Sequence, residues 1–200
     1  MPSVSNKQIP ISFRANRPVF FQWLGRSLLT ILGWKVLGKV VSDDNKSNIV
    51  AIAAPHTSNW DGVLGVAAIV GLDVKVNFIG KHTVFKSLLG TFLKYLGGIP
   101  VNRQHPGGVI KAVAEKMKNI NCSLLGLAPE GTRSKVKNWK TGFLRIAEEI
   151  NAKIILVSWD FKKKEILLGK FFTPSGDYKK DIEFLKNYYK SFTPKTPENF

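Results

Sequence analysis

Residues 49–71 read IVAIAAPHTSNWDGVLGVAAIVG, and this stretch decides the fold. Ile49–Ala54 is a short apolar run with β-branched residues, closed by Pro55, as a buried strand is. Ser58 and Asn59 are good N-cap residues, and the apolar residues behind them predict a helix over Asn59–Gly71. A buried strand that feeds a turn and then a helix is the repeating unit of a parallel sheet. The alternation continues outward. Further strands are expected at 74–79, 123–128 and 153–159, with a later one at 165–168, and helices at 84–96, 107–119, 141–151 and 179–189. Within 84–96, Phe85, Leu88, Leu89, Phe92, Leu93 and Leu96 recur at helical spacing, with Lys86 and Lys94 off the stripe. The expected fold is α/β: a single domain with a mostly parallel central sheet flanked by helices.

At 200 residues the chain fits one domain. Its charge is unusual. Thirty Lys+Arg against 14 Asp+Glu give a net +16, so the partner should be a polyanion: nucleic acid, an anionic membrane or a phosphorylated substrate. The single cysteine, Cys122, excludes an intramolecular disulfide and a multi-cysteine metal site. Residues 1–42 and 74–114 contain no acid. In the first of these, 18–37 (PVFFQWLGRSLLTILGWKVL) is apolar nearly all round if helical, with Gln22, Arg26, Thr30 and Gly33 as a narrow polar stripe. No uncharged run in it reaches the ~18 residues of a bilayer span. Flanking Arg14, Arg17, Lys35 and Lys39, with Trp23 and Trp34, fit a helix lying in a membrane interface; a core helix packed on the domain fits equally. A cleavable signal peptide is not expected, because Arg26 interrupts the apolar stretch and no A-x-A site follows.

Chemistry in such folds sits in the loops after the strands. After the first central strand come His56 and, five residues on, Asp61. On one continuous helix they would lie about 140° apart. If His56 is in the turn and the helix starts at Ser58 or Asn59, Asp61 falls in the first helical turn. Its carboxylate can then reach one imidazole nitrogen, fix the tautomer and stabilise the imidazolium, leaving the other nitrogen as a general base. A capping aspartate beside a surface histidine would leave the same bare pattern. After the strand at 123–128 come Pro129, Glu130, Gly131, Thr132 and Arg133, with Lys135, Lys137 and Lys140 behind. An arginine fork matches two phosphate oxygens, and glycine lets backbone amides approach an anion, so this turn is a phosphate-site candidate. Between the two loops, 96–103 holds a glycine pair, a short β piece and Arg103.

Taken together and in this order, the three segments resemble the glycerophosphate and lysophospholipid acyltransferase family, whose blocks run N-H-x4-D, G-x-x-F/I-x-x-R, F-P-E-G-T-R and V-P-V-x-P. The resemblance covers about residues 53–159. It departs at Pro55, where the family often has Asn, and at Leu156, Val157, Ser158 and Trp159, which lack the prolines of the last block. The resemblance implies His56 as catalytic base and Asp61 as its partner, with Arg103, Glu130, Gly131, Thr132 and Arg133 binding and positioning the phosphate of the acceptor. It implies acyl transfer from acyl-CoA or acyl-carrier protein, as co-substrate rather than cofactor, to a lysophospholipid. The favoured acceptor is 1-acylglycerol-3-phosphate, giving phosphatidic acid, with another lysolipid or amphipathic acceptor as the alternative. Residues 43–190 would then be the acyltransferase domain and 1–42 a basic membrane-interface segment, while 191–200, with two prolines in a polar context, is expected to be a flexible tail that frays. The protein is expected to be peripheral or monotopic on the cytoplasmic face of a membrane, with an anionic lipid surface as partner.

Rival classes are weaker. A non-catalytic basic module binding membrane or nucleic acid would suit the charge. Nucleic acid is not expected as a partner, because no zinc finger, RNP signature or basic region with heptads is present. An ester hydrolase would need a G-x-S-x-G elbow, which is lacking. No metal is expected, since His56, His82 and His105 have neither a paired spacing nor a cysteine partner.

Overall fold

The computed structural model describes residues 4–40, 48–86, 88–101, 106–118, 120, 122 and 124–200. Seven strands form one sheet: β1 (Lys35–Gly38), β2 (Ile49–Ala54), β3 (Asn77–Lys81), β4 (Gly98–Val101), β5 (Leu124–Leu127), β6 (Lys153–Asp160) and β7 (Glu165–Phe172). Their spatial order is β1-β7-β6-β2-β5-β3-β4. β2, β3, β4, β5 and β6 run parallel, while β7 returns antiparallel along β6 and carries β1 parallel to itself. The sheet is mostly parallel, as expected.

Alternation along β2 builds two cores. Ile49 and Ala51 face one side with Leu64, Ala67 and Ala68 of α2 (Asn59–Gly71), Leu72 at its C-cap and Leu29 of α1 (Val19–Ile31). Val50, Ile52 and Ala54 face the other. There they join α4 (Pro106–Lys118), α5 (Gly142–Glu149) and α6 (Tyr178–Tyr189) through Met117, Leu144 and Leu185. Strands buried on both faces need this continuous apolar sequence. The helix expected at 84–96 divides into a 3-10 turn over His82–Lys86 and α3 (Leu88–Tyr95).

The N-terminal stretch departs from expectation. Residues 18–37 are not one helix: α1 stops at Ile31, and β1 begins at Lys35. Gly33, at φ +75, turns the chain out of the helix. Its N–H donates to Thr30 O at 2.9 Å and the Trp34 N–H to Leu29 O at 2.7 Å, the paired bonds of a Schellman stop. Residues 4–40 are woven into the fold rather than appended to it. Val4, Ile9 and Phe13 are buried in the first core, Lys75 N–H donates to Phe13 O, and β1 is the edge strand on β7.

Part of the polar stripe of α1 faces inward, while Thr30 is exposed. Gln22 and Gly25 are buried against α2, and Arg26 Nε donates to Gly71 O at 2.8 Å while its Nη2 donates to Gln22 Oε1 at 2.9 Å. A Cβ on Gly25 would lie 2.6 Å from Ala67 O and Gly71 N, so the two helices cross backbone to backbone there. Val19, Phe20, Phe21, Trp23, Leu24 and Ile31 are exposed, Ile31 at 81%. No helix among the described residues is long and apolar enough to cross a membrane.

The tail expected at 191–200 also differs from expectation. A 3-10 turn forms at Pro197–Asn199, and Phe200 packs on the second core, its ring 6.3 Å from that of Trp139. Two prolines in polar sequence suggested fraying, but the aromatic residue behind them finds a buried partner.

Candidate active site

β2 and β5 are neighbours in register, Ile52 opposite Leu127, so the loops leaving their carboxyl ends emerge side by side. The first loop carries His56 and the second Glu130.

The His56 turn is built as its sequence predicts. Ser58 caps α2, with its Oγ accepting from the Trp60 N–H at 3.2 Å, and Asp61 sits at the third helical position in a reciprocal capping box. Asp61 Oδ2 accepts from the backbone N–H groups of Thr57 at 2.7 Å and Ser58 at 2.8 Å. The same oxygen lies 3.2 Å from His56 Nδ1. Oδ2 already holds two donors, and the imidazole approach, though within ion-pair range, is off the line of a hydrogen bond. Catalytic pairs without substrate are often misaligned in this way and tighten on binding. Asp61 is fully buried, while the imidazole is a quarter exposed. One edge of the ring therefore faces a carboxylate, with Nε2 at the opposite edge.

Glu130 lies beneath this turn. It is 4% exposed, and its Oε1 accepts from the His56 backbone N–H at 3.0 Å. Burial pushes its carboxyl above the ordinary carboxylate range, against the lowering effect of the His56 bond. Its neighbour Gly131 closes the turn, donating its N–H to Ala128 O at 3.1 Å, and Lys140 N–H donates to Pro129 O at 2.8 Å. Thr132 is half-buried and Arg133 exposed. The Arg133 guanidinium donates to Asn59 Oδ1 in the first turn of α2, so the two loops touch through that pair. Trp159, at the end of β6 beside β2, stands with its ring 6.3 Å from that of His56.

His56, Asp61, Glu130, Gly131, Thr132 and Arg133 thus share one sheet edge. Arg103 and His105 lie outside the described residues. Sequence reasoning did not single out Thr57 or Asn59 as site residues, although both lie inside the H-x4-D spacing; the N-cap pattern around Ser58 was the signal available. Among the described residues no group of three or more His, Cys, Asp or Glu side chains comes together as metal ligands would.

Fold and site define an α/β protein with a histidine beside a buried aspartate at the carboxyl ends of its parallel strands. The chain belongs to the acyltransferase family: the model described as Acyltransferase matches residues 37–159, more than half of it. No curated protein matches the chain. Among solved structures it is similar to the 1-acyl-sn-glycerophosphate acyltransferase PlsC from Thermotoga maritima, with a TM-score of 0.59 and 21% identity over 86% of this chain and 76% of that one. At that identity the likeness is one of fold.

Proposed function

We propose that the protein transfers a fatty acyl group from a thioester, acyl-CoA or acyl-carrier protein, to the free hydroxyl of 1-acylglycerol-3-phosphate, forming phosphatidic acid. The observation that carries this reading is the 3.2 Å approach of His56 Nδ1 to the buried Asp61 carboxylate. His56 Nε2 takes the proton of the acceptor hydroxyl as that oxygen attacks the thioester carbonyl. The tetrahedral intermediate collapses, the C–S bond breaks, and the thiolate leaves and receives the proton from the imidazolium. Asp61 stabilises that imidazolium and holds the tautomer. A thioester is already activated, so no acyl-enzyme is required. Arg133, with Arg103, is assigned to the acceptor phosphate, since a guanidinium fork fits two phosphate oxygens; Gly131 and Thr132 shape that loop, and Glu130 holds the base from below.

The protein is proposed to work at an anionic membrane surface on the cytoplasmic side. Support comes from the net +16 and from the exposed apolar face of α1, an area of the kind that marks contact with a lipid or protein partner. A panel of lyso-acceptors offered with labelled acyl-CoA or acyl-carrier protein tests the reaction, with phosphatidic acid as the expected product. Failure to acylate any lysolipid would overturn the reading. Sedimentation with anionic and zwitterionic vesicles tests the surface: Phe20→Ser with Trp23→Ser should weaken binding several-fold.

A further inference from the structure

Residues 191–200 lie outside the span that matches the family, yet they reach its reacting centre. The chain leaves α6 with the Phe192 ring against Tyr188 and Tyr189 and passes the β6–β7 turn, where the Phe161 N–H donates to Thr193 O at 2.8 Å. It then meets Thr57, the residue after His56. The Thr196 N–H donates to Thr57 Oγ1 at 3.2 Å, and Asn199 Nδ2 donates to Thr57 O at 3.4 Å. Thr57 is 3% exposed, and its own N–H is given to Asp61 Oδ2. The backbone N–H, the backbone carbonyl and the hydroxyl oxygen of this residue are thereby all engaged, two of the three by a segment 139 and 142 positions away in sequence.

The same segment ends its path on the second loop. Phe200 packs beside Trp139, which immediately precedes Lys140, and the Lys140 N–H donates to Pro129 O next to Glu130. One short stretch therefore ties the His56 turn to the Glu130 loop. The turn between β2 and α2 is bonded by Asp61, Glu130 and the C-terminal segment. A displacement of about 1 Å at a reacting group can cost two orders of magnitude in rate.

We propose that Thr196 and Asn199 form a positioning strap for the acid–base pair, acting through Thr57 on the His56–Asp61 geometry. No contact with substrate is assigned to either. The proposal rests on His56 being the base, so the test includes a variant that addresses that separately.

The experiment measures kcat and both KM values, together with thermal melting, for the full chain and four point variants, using the acyl-CoA and lyso-acceptor pair of highest turnover. Asn199→Asp keeps the shape and removes the donor, placing a carboxylate against the Thr57 carbonyl; Asn199→Ala removes the contact. Both should lower kcat about three- to tenfold while each KM changes less than about twofold, because substrate binding is untouched and the reacting geometry is not. Glu198→Ala, on the exposed side of the same turn, should leave kcat unchanged. Equal kcat in Asn199→Asp and the parent protein overturns the strap, as does a fall in kcat that merely tracks the fraction unfolded at the assay temperature. His56→Ala is the fourth variant. Near-parental turnover in it overturns the acid–base reading and the strap with it, whereas an inactive His56→Ala beside a fully active Asn199→Asp overturns the strap alone.

Discussion

The two loops at the end of β2 and β5 are held in opposite ways. The His56 turn is locked: Asp61 takes two of its N–H groups, Glu130 a third, and its central threonine is bound from a distant segment. Beyond Glu130 the second loop opens outward, with Arg133, Ser134, Lys135, Lys137, Asn138 and Lys140 all exposed. Under the proposed function, the difference suits the task of each loop. A base has to meet one proton in one geometry, and rigid placement is worth more to it than reach. Cations that gather an anion act over several ångströms, and hydrated side chains at the surface serve well.

The largest expected effect falls on the locked loop. His56→Ala should lower kcat roughly 10²-fold or more, the usual scale for removing a general base. Asp61→Asn should lower it too, since the amide leaves the imidazolium without its countercharge. Retained turnover in steady-state assays would erase the contrast between the loops. Next comes the open loop. Arg133→Ala should raise KM for a phosphorylated acceptor about tenfold, the scale of one charge-assisted contact, with a smaller effect on an unphosphorylated one. Lysine should restore only part of this, because it lacks the fork. Equal losses on both acceptors would assign Arg133 to its bond with Asn59 instead.

The smallest effect is expected at Glu130, where the loops join. Its raised pKa means that, just above the ordinary carboxylate range, the folded protein keeps a proton the unfolded chain has lost. The group's contribution is fully present below the unfolded pKa and is lost as pH rises through the folded one. Glu130→Gln keeps an acceptor for the His56 N–H and cannot titrate. Urea denaturation from about pH 4 to about pH 8 should show a shallower decline in stability for the variant than for the parent. Parallel curves would mean that burial does not hold the proton there.

Much of the fold and site was legible locally. Ile49–Ala54 and Asn59–Gly71 stand where apolar runs and an N-cap put them, and the His56–Asp61 meeting came from that cap. The features that escaped depend on partners distant in sequence. Gln22 and Arg26 form a polar stripe that in isolation reads as a solvent face; it turns inward because α2 offers Gly71 O to Arg26 and room for Gln22. Apolar Val36 and Leu37 continue the composition of α1, so only the Gly33 stop separates strand from helix. Nothing near Asn199 or Phe200 announces Thr57 or Trp139 as neighbours.

The crossing of α1 over α2 has one more consequence. Part of that seam is made of small residues at backbone contact, Gly25 against Ala67 and Gly71, and of the Arg26 bond to Gly71 O. Attraction between greasy side chains depends on water lying outside, and it fades where hydrocarbon solvates leucine as well as a neighbouring helix does; close backbone packing and internal hydrogen bonds persist in either surrounding. That part of the seam therefore depends little on the medium that bathes the outer face of α1. Whether that face meets water or acyl chains, α2 keeps its seat, and so does the aspartate in its first turn.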